Sequence, residues 1–266
     1  MSWVDNRVTT WMDFARAAER IVLRVGRNEH LMCRGQADER WRLRPSLLRR
    51  YRTGAPQKSL LEIEKAALET FRYEAWAYAP QDRLPAEGDV IEWWVLMQHY
   101  GAPTRVLDWT ASPYVACYFA VIDQPKRDGA IWYFDNAALN CPMGNTSRHL
   151  FRNMENQLEQ YFLKVGNPAR LHTCKPDRPT ARVIAQNGHI TISERVSSDH
   201  DPLIDHALVG SGKSRQQHGR LIIPSSLKTE FQLHLDAMSV NATSLFPGID
   251  GIGRRINELV VLHRRF

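Results

Sequence analysis

Two short segments of the sequence concentrate side chains that could do chemistry. In the first, residues 31–36, an apolar run leads into Arg34 and Gly35. A guanidinium presents a fixed, planar set of donors that suits phosphate, and a glycine lets a ligand or another backbone approach closely. The alternative for Arg34 is a structural salt bridge. The segment predicts an anion-binding position at the end of a short strand.

The second segment, residues 98–113, packs many functional side chains into a backbone constrained by proline and glycine. Gln98 and His99 stand at the predicted end of a helix, where a role in a site is favoured over one in the core. Asp108 could pair with a nearby arginine or cap a turn, and Ser112 could cap the helix that Pro113 begins. We expect one cleft to be lined by Arg34, His99, Arg105, Asp108, Thr110 and Gln186.

The secondary structure that positions these residues can be predicted from the sequence. Capping and apolar spacing predict helices over about 10–25, 59–78, 89–100, 113–120, 148–164 and 225–238. Short runs of β-forming residues predict strands near 30–34, 105–108, 129–134, 182–185, 189–192, 221–223 and 259–262. Residues 196–217 are polar and predict a mobile loop. Strands and helices alternate irregularly, so the predicted class is α+β, with a mixed sheet and surrounding helices.

Composition narrows the function classes. The chain has 266 residues, a net charge of +6 and a pI near 9.3, which suits a phosphate-bearing partner without requiring one. No signal peptide and no membrane span is predicted. The four cysteines match no zinc framework, so no metal site is expected. These features together predict a cytoplasmic protein of one main domain.

A basic stretch supports a different class of function. Residues 40–52 interleave arginines with Trp41 and Tyr51, and arginines for phosphates with aromatics for stacking are typical of a nucleic-acid surface. The alternative is a solvated face. The candidate nucleic-acid-binding residues are Arg40, Arg42, Arg44, Arg49, Arg50 and Arg52.

Several of these motifs together resemble the FRG domain family. They are Arg34-Gly35 after a strand, the segment 98–110, the segment 182–188 and the segment 245–251. One departure is Cys33, where the family usually has Phe or Tyr. The resemblance spans about 31–256 and implies an N-terminal helical segment over 1–28 and an FRG domain over 29–266.

A more distant resemblance links the chain to the ADP-ribosyltransferase superfamily. An arginine closing the first core strand is similar to the arginine that holds NAD in those enzymes, and Thr110-Ala111-Ser112 is similar to their Ser-Thr-Ser motif. Where they carry a catalytic glutamate, this chain has Gln186, which stabilises positive charge less well. Asp108 or Glu194 could supply the missing charge.

This resemblance implies an ADP-ribosyltransferase-like core, NAD as a substrate, and roles for named residues. The catalytic candidates are Arg34, His99, Asp108 and Gln186, and the NAD-binding candidates are Arg34, Gly35, Gln98, Arg105, Thr110 and Ser112. The implied setting is a bacterial toxin or phage-defence effector with a nucleic-acid or protein acceptor and an antitoxin or defence-system partner. The alternative function is a nucleic-acid-binding module, either non-catalytic or of a nuclease type.

Overall fold

The computed structural model describes residues 3–25, 30–51, 54–138, 158–210 and 218–263. Seven strands form one sheet. They are β1 (Asp5–Arg7), β2 (Leu31–Gln36), β3 (Val106–Thr110), β4 (Gly129–Asp135), β5 (Leu171–Cys174), β6 (Gly188–Ser193) and β7 (His218–Ile223).

The strand order in the sheet is β1-β7-β4-β2-β3-β6-β5. β1 runs parallel to β7, and every other neighbouring pair is antiparallel. The predicted mixed sheet with surrounding helices is therefore confirmed.

Helices cover the sheet. They are α1 (Trp11–Val25), α2 (Ser46–Arg49), α3 (Gln57–Tyr78), α4 (Val90–His99), α5 (Pro113–Val121), α6 (Leu158–Phe162), α7 (Ala181–Ala185), α8 (His200–Gly210), α9 (Lys228–Ala237), α10 (Ala242–Leu245) and α11 (Ile249–His263). Short 3-10 turns occupy Gln81–Arg83, Asn136–Ala138 and Ser225–Leu227. Among the described residues, none of the helices combines the length and the apolar composition that a membrane span requires.

β2 and β3 have the fewest paired residues of any two neighbouring strands in the sheet. β2 pairs with β4 along its whole length, but its only register partner in β3 is Thr110, opposite Cys33. Beyond that pair the two strands separate. The sheet therefore opens just where Arg34 follows Cys33, and this opening positions the site.

Three clusters of buried side chains hold the layers together. One face of β2, β4 and β7 packs against α1, α5, α9 and α10. α3, α4 and α6 pack against β3 and β6, and α8 packs on a third cluster formed with β2, β3 and β4. β1 adds a strand to the sheet, and α1 contributes Phe14, Ala18 and Ile21 to the first cluster. The N-terminal segment is therefore part of the same core.

Several helix starts follow the predictions. Asp89 accepts a hydrogen bond from the backbone of Glu92, and Ser112 accepts one from Val115, so the expected caps of α4 and α5 are present. The helix predicted at 59–78 begins two residues earlier, at Gln57. Of the helix predicted over 148–164, only α6 lies within the described residues.

Three local predictions are wrong. The strand expected over 182–185 is helix α7, because Thr180 caps it by accepting from the Val183 amide. The strand expected over 259–262 continues helix α11, and part of the loop expected over 196–217 is helix α8. Tertiary packing of Leu208 and Leu262 in the interior outweighs the local propensities in the last two cases.

Candidate functional site

Two adjoining cavities lie at the opening between β2 and β3. The larger has a volume of about 590 Å³ and the smaller about 450 Å³, and both are open to solvent. Both are lined by Asp108, Trp109, Arg182 and Gln186, so they form one cleft, which we call the site cleft. Residues from β2, β3, α4 and α7 therefore meet in one place although they are far apart in sequence.

Arg34 lies on the β2 wall of the larger cavity. Its Nη1 donates a hydrogen bond of 2.5 Å to the carbonyl oxygen of Asp108, across the gap where ladder hydrogen bonds are missing. Its Nε is buried and has no hydrogen-bond partner among the described residues. Burial lowers the pKa of Arg34 to about 10, and the nearby charge of Asp108 opposes that shift. Arg34 thus remains a cation at neutral pH and has an unused buried donor.

Asp108 supplies the carboxylate of the site cleft. It is the exposed residue of a strand whose other residues are buried, and it lines both cavities. Within the described part of the chain, no donor is bonded to its carboxylate. The side chain is therefore available to a ligand.

Gln98 and His99 reach the smaller cavity from the end of α4. The Oε1 of Gln98 accepts a hydrogen bond of 2.6 Å from Thr104 Oγ1, which fixes the loop that leads into β3. Burial lowers the pKa of His99, and Arg182 lowers it further, whereas Asp250 and Asp108 raise it. His99 is therefore neutral at pH 7 and can accept a proton.

Gln186 and Thr110 are linked to each other and to the C-terminal region. Thr110 Oγ1 donates to the carbonyl of Gln186 at 2.6 Å, and the Nε2 of Gln186 donates to the carbonyl of Leu245 at 3.0 Å. Both residues line the larger cavity. The amide of Gln186 is thus held in place by backbone, and no carboxylate occupies this position.

Arg182 is a site residue that the prediction of a common cleft omitted. It lines both cavities and its guanidinium stacks over the Phe246 ring. The signal was present, because Arg182 opens the 182–188 motif of the FRG resemblance. The sequence predicted a strand over this segment, and that prediction did not place Arg182 next to β3. The observed helix α7 does.

Arg105 lies outside the cleft, contrary to expectation. It is completely buried and pairs with buried Glu64 through both carboxylate oxygens. Its Nη1 donates to the carbonyls of Phe162 and Glu194. All three nitrogens of the Arg105 guanidinium donate hydrogen bonds within the core, so the predicted cofactor-binding role of Arg105 is not retained.

Gly35, Ser112 and Glu194 also have structural duties. A Cβ at Gly35 would lie 1.8 Å from the carbonyl oxygen of Ala116, so the glycine is needed for α5 to pack against β2, and it also lines the larger cavity. Ser112 caps α5. Glu194 is buried and bonded to His172 and Tyr161, so it cannot replace a catalytic glutamate in the cleft.

The basic stretch divides into two parts. Acidic partners hold Arg40, Arg42 and Arg44, which pair with Asp38, Asp199 and Asp201. Arg49 and Arg50 are exposed, and no acidic partner is seen for them among the described residues. Arg52 lies outside the described residues. The charge open to a nucleic acid is therefore smaller than the sequence indicates.

The described residues contain no group of three or more His, Cys, Asp or Glu side chains that could hold a metal ion. The cleft instead combines two guanidiniums, a free carboxylate, a neutral imidazole and a fixed amide. Such a set can bind an anionic ligand and stabilise a cation that develops next to it.

Comparison with known proteins agrees with the sequence motifs. The family model of the FRG domain matches residues 29–129, a range that contains Arg34, His99 and Asp108, whereas Arg182 and Gln186 lie beyond it. No curated protein and no solved structure matches the chain. Residues 29–129 are therefore similar to the FRG domain.

Proposed function

We propose that the site cleft binds NAD and that the protein is an ADP-ribosyltransferase-like enzyme. One observation carries this proposal: the free carboxylate of Asp108 shares a cleft with the guanidiniums of Arg34 and Arg182. Guanidiniums suit the diphosphate of a dinucleotide, and a carboxylate suits the positive charge that develops when a glycosidic bond breaks.

The reaction breaks the bond between the ribose C1′ of NAD and the nicotinamide nitrogen. The bonding electrons go to that nitrogen, and nicotinamide leaves as a neutral molecule. C1′ then forms a bond to a nucleophilic atom of the acceptor, or of water, and that nucleophile releases a proton. Charge at C1′ is greatest between the two events, so a carboxylate there lowers the barrier most.

In this proposal, Asp108 takes the role that the catalytic glutamate has in ADP-ribosyltransferases. Gln186 occupies the corresponding position in chain order and is neutral, with its amide directed to the Leu245 carbonyl. Asp108 lines the same two cavities as Gln186. In this proposal Gln186 orients the ribose and Asp108 provides the charge.

His99 is the proposed general base. The pKa of its imidazole is lowered, chiefly by burial, so the neutral form that accepts a proton predominates at pH 7. It lines the smaller cavity together with Asp108. The acceptor's nucleophile would therefore approach from the α4 side of the cleft.

The direct test is calorimetry with NAD on the full chain. Arg34→Ala should lose roughly 2–3 kcal/mol of binding free energy, the range for a hydrogen bond to a charged group. Arg34→Lys should also bind poorly, since lysine keeps the charge but loses the planar fork. The proposal fails if the wild type binds no NAD, and Arg34 loses its role if all three proteins bind alike.

The proposed setting is a bacterial toxin or phage-defence effector, with a nucleic-acid or protein acceptor and an antitoxin or defence-system partner. Induced expression in a bacterial host should arrest growth, and Asp108→Asn at equal protein level should not. Mass spectrometry of that host's proteins and nucleic acids would then identify the modified acceptor.

A second candidate is a nucleic-acid-binding module, non-catalytic or nuclease-type. Exposed Arg49 and Arg50, without acidic partners among the described residues, favour it. Consumption of NAD by the purified protein discriminates between the two functions. Salt-sensitive oligonucleotide binding without NAD consumption would support the second.

A further inference from the structure

Two arginine guanidiniums contact the ring of Phe246. The Cζ of Arg182 lies 4.7 Å from the ring centroid and the Cζ of Arg254 lies 4.6 Å from it. Both distances are within the range of a cation–π interaction. Arg182 comes from α7 and Arg254 from α11, so one aromatic ring brings together two cations from separate parts of the chain.

The ring itself is fixed. Phe246 is 4% exposed, its amide donates to the carbonyl of Ala242, and its ring contacts those of Tyr118 and Phe119. A rigid ring holds both guanidiniums without using any of their N–H donors. The donors of Arg182 and Arg254 therefore remain available, because no described residue accepts a hydrogen bond from either guanidinium.

Two like charges on one ring oppose each other. Arg254 lowers the pKa of Arg182, after burial, which is the larger cause. Asp108 and Asp250 act in the opposite direction, but neither forms a salt bridge with Arg182 within the described part of the chain. An anion that reaches both guanidiniums would accept hydrogen bonds from their donors and offset their repulsion.

Only one member of the pair lines the site cleft. Arg182 lines both cavities, whereas neither cavity is lined by Arg254. A ligand with one phosphate at the cleft wall and a second phosphate just outside it would use both arginines. A monophosphate inside the cavity would leave Arg254 unused.

We propose that Arg182 and Arg254, held by Phe246, form a diphosphate subsite at the mouth of the cleft. The ligand class is a nucleoside diphosphate or the diphosphate bridge of a dinucleotide. The inference extends the proposed function, since that function needs a dinucleotide in this cleft, but it can be tested with ligands other than NAD.

The test is calorimetry with ADP, inorganic pyrophosphate, adenosine and NAD on the full chain. Wild-type protein should bind ADP and pyrophosphate, and adenosine should bind at least about tenfold more weakly. Arg182→Ala should weaken ADP binding about tenfold or more, as expected for a charge-assisted hydrogen bond. Arg254→Ala, at the exposed rim, should weaken it about threefold.

Two further variants refine the test. Phe246→Leu keeps an apolar side chain but removes the ring face, so it should resemble Arg182→Ala. Arg16→Ala removes an exposed arginine of α1 that lines neither cavity and should bind like wild type. A cooperative thermal unfolding transition in each variant would serve as the control that the variant is folded.

The outcomes separate this inference from the proposed function. If NAD binds and neither arginine variant weakens ADP binding, the subsite is wrong and the NAD proposal stands. If ADP and pyrophosphate bind through both arginines but NAD does not bind, the subsite stands and the NAD proposal fails. If the wild type binds neither ADP nor pyrophosphate, or binds only an oligonucleotide, the subsite is overturned.

Discussion

Replacing Glu64 with glutamine tests the structural role assigned to Arg105. Glu64 and Arg105 are both buried and form a multiply hydrogen-bonded ion pair. The change keeps the size of the side chain at 64 but leaves a buried guanidinium without a counter-charge. Removing one partner of a buried pair costs about 3–5 kcal/mol.

The surroundings of Arg105 place the expected cost at the low end of that range. Its Nη1 keeps carbonyl acceptors at Phe162 and Glu194, and its guanidinium keeps the Trp94 ring at 4.7 Å. We therefore expect a loss of about 3 kcal/mol in the free energy of unfolding. For a chain of this size that corresponds to roughly 6–12 °C in Tm.

Urea denaturation and a thermal scan measure the effect. The matched control is Glu62→Gln, the same chemical change at an exposed position of α3, which should stay within about 0.5 kcal/mol of wild type. The double variant Glu64→Leu with Arg105→Met removes both charges and should recover most of the loss. All folded variants should bind NAD as the wild type does.

An unchanged stability in Glu64→Gln would refute this reasoning. It would mean that the guanidinium of Arg105 does not depend on Glu64 for its charge balance. A double variant less stable than Glu64→Gln would also contradict the buried-pair interpretation. Loss of NAD binding in a folded Arg105→Met protein would return Arg105 to the site.

Three further predictions concern packing, pH and charge. Gly35→Ala should cost about 1–3 kcal/mol or more in thermal denaturation, because its Cβ would meet the Ala116 carbonyl; wild-type stability would contradict this. Burial lowers the pKa of His200 to about 3, below its usual value of about 6.5, so the unfolded chain binds the proton more tightly. The free energy of unfolding should then fall as pH drops from about 6.5 toward 3. In His200→Gln the urea midpoint should depend less on pH across that range; an unchanged pH dependence would exclude His200 as its cause. If the chain binds an oligonucleotide, replacing Arg49 and Arg50 with alanine should make the slope of log affinity against log salt shallower by about two; an unchanged slope excludes both.

Local signals predicted the parts of the fold that depend on local chemistry. Asp89 and Ser112 were recognised as caps because a cap needs only its own helix start, and both accept the expected backbone hydrogen bonds. The Arg34-Gly35 strand and the residues of β3 were likewise found from short motifs. Arg34 and Asp108 lie in one cleft as expected.

The remaining features depend on contacts between distant residues. Arg105 lies in the same motif as Asp108, but its partner Glu64 lies on α3. No spacing rule connects the two residues. Arg182 enters the cleft only because Thr180 starts a helix where β-formers predicted a strand. The opening of the sheet is set by the single pair between Cys33 and Thr110, which sequence periodicity does not encode.

Release of nicotinamide from NAD by the purified full chain tests the central claim most directly. Chromatography should detect free nicotinamide with wild-type protein, with or without an added acceptor. Asp108→Asn should reduce the rate about 100-fold, the scale for removing one group that stabilises developing charge, while NAD binding persists. No nicotinamide from the wild type with any acceptor tried, or an unchanged rate in Asp108→Asn, would contradict the assignment of Asp108 as the catalytic carboxylate.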